Sequence, residues 1–251
     1  MKYIKENWKV LLFFAICGLI GGIFTGFYLL ETYSEDILNE IVNQIGNKYL
    51  LIVVSTLQSV IYALILGSIG IVLSNKIGLW KNFKTEKKGL TKSIIVSIIG
   101  GLSLILFDVL LFSNYIESVK QLYEVKPSIS YILSSFFYGG VIEEVMIRLF
   151  LMSLLSLIIY KVFFKKSKNI PTIVFIISNV VTALLFAAGH LTTTFAMMGQ
   201  LTPMILVRCF LLNGGLGLLF GWLYRKYGIK YSIIAHIGTH LISKLIWVLF
   251  I

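Results

Sequence analysis

Residues 134–157 read SSFFYGGVIEEVMIRLFLMSLLSL. Only Glu143, Glu144 and Arg148 in this stretch carry a formal charge at neutral pH. A largely apolar run of this length meets the requirement of about 20 residues for a helix that crosses a bilayer. A charge at the centre of such a helix costs about 2.5–3.5 kcal/mol on insertion scales. Acids and arginines in that position therefore point to a partner or a task. The stretch thus decides the fold class and where function is sought.

The rest of the chain agrees. Of its 251 residues 58% are hydrophobic and 13% charged, with a mean hydropathy of +0.92. Soluble domains carry about 25% charged residues. Seven apolar runs are long enough to span: 10–30, 50–73, 93–113, 129–160, 171–196, 204–223 and 232–251. The expected fold is all-α, a polytopic transmembrane helix bundle of about seven spans. Run 129–160 is too long for one perpendicular helix, and Gly139-Gly140 offers either a bend or a join between a half-helix and a full one. Run 171–196 has a soft end, because 191–200 carries no charge. Run 10–30 exceeds the core of about 7–15 residues in a signal peptide and reads as a retained first span.

The net charge is +11, and its distribution is informative. Segments 1–9, 74–92, 161–170 and 224–231 hold three, six, four and three Lys or Arg, sixteen in all. The alternate connections 31–49, 114–128 and 197–203 hold one, two and none. The positive-inside rule places the N-terminus in the cytoplasm and the C-terminus outside. The basic excess is then a topology signal that also suits contact with anionic lipid headgroups, and nucleic acid is not the expected partner. No domain boundary is visible. The chain reads as a single membrane domain, 1–251, with three N-terminal spans in 1–128 and a motif-bearing core in 129–245. Gly18, Gly22 and Gly26, and Gly217 and Gly221, recur at four-residue spacing, which lets helices approach closely. Cys17 and Cys209 have no metal-type spacing and read as small core residues.

Charged and titratable side chains in the spans can be sorted by helical geometry. On an α-helix, Arg148 lies about 40° from Glu144 but about 140° from Glu143. Glu144 is the natural partner of Arg148. Glu143 is left without one, a partly desolvated carboxylate suited to act as general base on a water molecule. The chain's three histidines are also in apolar runs. His190 ends the one-face stripe Asn179, Ala183, Phe186, His190, and Phe186 is placed to brace its ring. His236 and His240 share a face one turn apart, and Lys244 continues it. Two His at i, i+4 are the spacing of helical zinc sites, but Ile237 stands where the zincin motif needs Glu. The groups are expected to meet near the midplane or somewhat inward of it. Asp108, Arg208 and Lys244 remain. Asp108 with Arg208 or with Lys244 makes a structural ion pair. Asn213, before Gly214-Gly215, reads as helix packing.

These residues resemble a known family. Glu143-Glu144-Val145-Met146-Ile147-Arg148 is similar to the EExxxR motif of the CAAX-processing and bacteriocin-processing intramembrane proteases (the CPBP, or Abi, family). Phe186-Ala187-Ala188-Gly189-His190 is similar to its FxxxH motif, and His236-Ile237-Gly238-Thr239-His240 to its HxxxN motif. The resemblance covers about residues 129–245 and implies hydrolysis of a peptide bond within the membrane. It implies that Glu143 activates water with His190 as partner, and that Glu144 and Arg148 hold the helix. It also implies that His236 and the residue at 240 bind the oxyanion. This chain departs from the family at His240, where Asn is usual. A neutral His still donates one hydrogen bond, so the role survives. The substitution also makes Glu143, His190, His236 and His240 a conceivable first shell for zinc. The metal-independent, glutamic mechanism is the favoured expectation, with no cofactor.

The leading expectation is therefore an intramembrane endopeptidase acting on a membrane-associated peptide or protein. Removing a C-terminal tripeptide from prenylated proteins is the family's eukaryotic task; many short bacterial members are linked to peptide maturation or bacteriocin immunity. The Lys-, Ile- and Asn-rich composition suits a bacterial plasma membrane and an AT-rich genome. The competing classes are a non-catalytic immunity protein and a proton-coupled transporter. The internal repeat usual in transporters is not evident in the chain.

Overall fold

In the computed structural model the described residues are 2–81 and 83–251, and every regular element among them is helical. Seven helices are long and apolar enough to cross a membrane: α1 (Trp8–Thr32), α2 (Leu50–Lys76), α3 (Lys87–Asn114), α4 (Ile129–Phe163), α5 (Thr172–Met198), α6 (Pro203–Tyr227) and α7 (Ile229–Phe250). They fall on the seven expected spans with shifts of a few residues. The protein is an integral, multi-pass membrane protein. The connections 31–49 and 114–128 carry short helices of their own, Glu35–Ile45 and Glu117–Tyr123.

Local chemistry sets the ends of these helices. The Ser128 hydroxyl accepts from the Tyr131 backbone N–H at 3.2 Å and caps α4. Thr202 does the same for α6 through the Ile205 N–H at 3.3 Å, with Pro203 in the first turn. Such caps satisfy amide donors that have no partner within the helix. Gly199 ends α5 at φ 71°, a left-handed conformation in which a side chain would be strained. At the far end of α7, the Lys126 ammonium donates to the Val248 carbonyl at 2.9 Å.

Close packing runs through small residues. A side chain at Gly22 would meet the Thr56 Cα of α2 at 2.5 Å, and Gly26 likewise abuts Ile52. Gly217 faces Ala183 of α5. The expected glycine stripes therefore act within the chain. A further small-residue face was not singled out in the sequence. Ser93 and Ser97 of α3 donate to the carbonyls of Tyr231 and Ala235 of α7 at 2.9 and 3.3 Å. Gly100 and Gly101 of α3 lie against Thr239 and Ile242. This face docks α3 along α7, the helix that carries two of the histidines. Cys17 and Cys209 are both buried and unpaired, as small core residues.

α4 excludes one of the two expected forms: no half-helix joins a full one at Gly139-Gly140, and the helix runs continuously over Ile129–Phe163, with Ser135–Glu143 and Val145–Met152 wound as π-helix. Such i→i+5 winding is rare and collects at functional sites. The glycines allow contact. Gly139 faces the His240 ring and Gly140 the Ile237 side chain and backbone of α7. The π-winding also replaces the angles derived for an α-helix. Residues five apart become near neighbours, so Glu143 is closer to the Arg148 side of the helix than the 100° rule implies.

Candidate active site

Glu144 is fully buried and has three partners. The Ser232 hydroxyl donates to it. His236 Nδ1 lies 3.0 Å from Oε1, and Arg148 Nε lies 3.7 Å from Oε2. The expected Glu144–Arg148 pair is present. Arg148, also fully buried, donates from Nη2 to the Gly217 carbonyl at 3.2 Å. Its guanidinium sits 4.7 Å from the Phe186 ring centroid and 6.0 Å from that of Phe220. Stacking on aromatic faces lets a weakly hydrated guanidinium remain in the core. Arg148 thus ties together α4, α5 and α6.

Glu143 faces the other way. It is partly exposed and lines a cavity of about 280 Å³, which His190, His236 and His240 also line. Glu144 and Arg148 do not line it. The adjacent glutamates are therefore divided between the cavity and the packed core behind it.

Each imidazole is oriented by a separate device. His190 stands between the two helical segments of α5, Thr172–Gly189 and Leu191–Met198. Its Nδ1 lies 2.8 Å from the Phe186 carbonyl, which only accepts, so Nδ1 carries the hydrogen and Nε2 keeps its lone pair. Phe186 braces the ring edge-on at 4.7 Å, as the stripe on α5 led us to expect. His236 stacks on Phe220 at 4.4 Å and holds Glu144 through Nδ1. His240 stacks on His236 with ring centroids 5.0 Å apart. The Lys244 Nζ stands 3.4 Å from His240 Nδ1. With Lys244 as an ammonium, which has only hydrogens to offer, His240 Nδ1 accepts and Nε2–H, near Gly139, is the donor.

Two participants were missed in the sequence, Ser232 and Phe220. Ser232 was legible, since Ser232, His236, His240 and Lys244 recur every fourth residue on α7. Phe220 had no signal, because only packing brings α6 against His236. Away from the cluster, Asp108 pairs with Arg208 rather than Lys244. Arg208 Nε donates to it at 2.7 Å, and the Tyr123 hydroxyl donates at 3.0 Å. Lys244 is 5% exposed and sits 4.2 Å from the Tyr131 ring centroid.

Residues 125–242 match the family model described as type II CAAX prenyl endopeptidase Rce1-like. Through this segment the chain is similar to the Rce1-like family. No curated protein and no solved structure matches the chain. The Rce1-like segment spans the glutamate motif and all three histidines. That likeness supports, in general terms, a CAAX-type endopeptidase that works in the bilayer on a peptide substrate. Among the described residues, no group of three or more His, Cys, Asp and Glu side chains is arranged to hold a metal ion. Glu143, His190, His236 and His240 all line the one cavity.

Proposed function

We propose that the protein hydrolyses a peptide bond of a membrane-associated peptide or protein by a metal-independent, glutamic mechanism. Support comes from one observation above all: Glu143, His190, His236 and His240, from three helices, line one cavity, while Glu144 and Arg148 stand behind its wall. Glu143 takes a proton from water as the water oxygen adds to the carbonyl carbon. The carbonyl π pair moves to oxygen and forms the tetrahedral oxyanion. His190, with Nε2 free to accept, shares the proton with Glu143. Collapse restores the carbonyl, breaks the C–N bond and returns the proton to the leaving nitrogen. One water is consumed, and an acid and an amine are released.

His240 Nε2–H donates to the oxyanion. His236 donates from Nε2 only as an imidazolium, because its Nδ1 hydrogen is committed to Glu144. The Glu144 carboxylate offsets that charge, and Arg148 and Ser232 keep the carboxylate in place. Glu144 and Arg148 are therefore positioning residues. Fixed donors of this kind contribute about 3–4 kcal/mol each to the transition state.

The test is cleavage of a mixed peptide library by the purified full chain in detergent. Glu143→Gln keeps the shape of the side chain and removes the base, and is expected to lower the rate by about 10²–10⁴-fold. Its thermal unfolding should match that of wild type. A chelator in the same assay should leave the rate unchanged. Folded wild type that cleaves nothing, or Glu143→Gln at full activity, would sink the proposal and favour a binding role.

A further inference from the structure

A second cavity, of about 470 Å³, lies among the ends of three spans on the basic face. It forms where α2 ends, where the connection 161–170 leads into α5 and where α6 ends. Lys76 is the last residue of α2, Lys168 lies in that connection, and Arg225 stands in the last turn of α6. All three line the cavity, and no acid among the described residues does. It shares no lining residue with the cavity of Glu143 and the histidines.

Local structure holds these cations around one space. Gly78 turns the chain after α2 at φ 71°, a conformation that favours glycine. The turn buries Ile77 and Leu79 on either side of it and leaves Lys76 exposed. The Tyr160 hydroxyl donates to the Ser167 carbonyl at 3.1 Å and ties down the connection that carries Lys168. Arg225 lies over the Phe175 ring at 5.3 Å and donates from Nη2 to the Thr172 hydroxyl at 2.9 Å. A guanidinium has five N–H donors, so most of them remain for a ligand. None of the three cations forms an ion pair among the described residues.

Three cations around one space repel one another and favour an anion between them. The protein offers little of its own. Segments 1–9, 74–92, 161–170 and 224–231 hold sixteen Lys and Arg and two acids, Glu6 and Glu86, and neither acid is at the cavity. A phosphate spreads its charge over several oxygens, which suits one planar guanidinium and two ammonium groups at once. The membrane supplies that chemistry at this depth, because the ends of spans lie among the lipid headgroups. Ile77, Leu79, Ile170 and Phe175 add apolar wall for the glycerol and upper chains. Basic pockets between membrane helices bind anionic headgroups in this way. We infer that the cavity binds the phosphodiester of an anionic phospholipid, which ties together the ends of α2, α5 and α6. The inference does not rest on the peptidase reading.

Lipid retention by the full chain in a nonionic detergent tests this. Phosphatidylglycerol is titrated in and bound lipid is counted by native mass spectrometry, with phosphatidylcholine and inorganic phosphate as the comparison arms. Wild type should retain phosphatidylglycerol in preference to phosphatidylcholine and unfold at a higher temperature with it. Lys76→Gln combined with Lys168→Gln should weaken retention about 30-fold and abolish that rise. Both side chains are exposed, so this double variant should unfold like wild type without lipid. Should it unfold early instead, Lys168→Gln alone carries the comparison. Lys84→Gln combined with Lys88→Gln, on the same face but outside the cavity, should leave retention unchanged. Wild-type retention in the Lys76 and Lys168 variant overturns the inference. Equal losses in the two double variants also overturn it, by showing a diffuse charge effect, as does equal retention of phosphatidylcholine. Stabilisation by inorganic phosphate to which phosphatidylglycerol adds nothing would assign the cavity to a free anion and refute the headgroup.

Discussion

At the level of single residues, the adjacent glutamates do opposite work. Glu144 is held by an arginine, a histidine and a serine in the core, and Glu143 faces the cavity. Removing one partner from a buried pair leaves an uncompensated charge, which costs about 3–5 kcal/mol. Arg148→Met should lower stability by about that amount, read by thermal unfolding in detergent. A melting curve unchanged from wild type would show that Arg148 is not the balancing charge. His240 gives a sharper test. Its tautomer is set by Lys244, so Lys244→Met should lower kcat by about 10²-fold in the native background. With His240→Asn already present, the same change should cost little more, because an amide donates without a tautomer to set. Equal losses in both backgrounds would refute this role for Lys244. The Glu144–Arg148 pair was legible in sequence because four-residue spacing on a helix is a local property. The Glu144–His236 contact was not, since 92 positions separate the two residues along the chain.

For whole helices, hydrophobic run length was enough to place all seven spans, because the requirement to cross an apolar slab acts on each helix alone. The winding of α4 was not readable that way. A π-turn trades the usual i→i+4 hydrogen bond for i→i+5, and the neighbours packed against it lie on other helices, α1 and α7 for Ser135–Glu143 and α2 and α5 for Val145–Met152. Gly140 marks the contact with α7, where an added methyl would collide with Ile237. Gly140→Ala should displace α7, and with it His236 and His240, relative to Glu143. A shift of about 1 Å in a reacting geometry costs about 10²-fold in rate. The measurement is kcat against unfolding temperature, with kcat expected to fall far more. A variant that loses stability and keeps kcat would separate Gly140 from the geometry of the site.

Across the whole molecule, the Asp108–Arg208 pair joins α3 to α6 beside the cavity, and Tyr123 from the short helix Glu117–Tyr123 completes it. Burial beside the Asp108 carboxylate pushes the Tyr123 phenol above its ordinary pKa. Asp108→Asn strands Arg208 and should cost about 3–5 kcal/mol of stability, seen as a lower unfolding temperature. Unchanged stability would mean that Arg208 finds water or another anion instead. The sequence offered Arg208 and Lys244 as partners with equal right, and only the approach of α3 to α6 chose between them. By itself the sequence determined the spans, the charge asymmetry between the two faces and the pairing of groups one helical turn apart. Each follows from helix length, loop composition or helical pitch, all of which are local. The tertiary structure alone decided that residues of three helices share one cavity and which glutamate faces it. Those outcomes depend on how the small-residue faces of distant helices dock, and a linear pattern does not encode that distance.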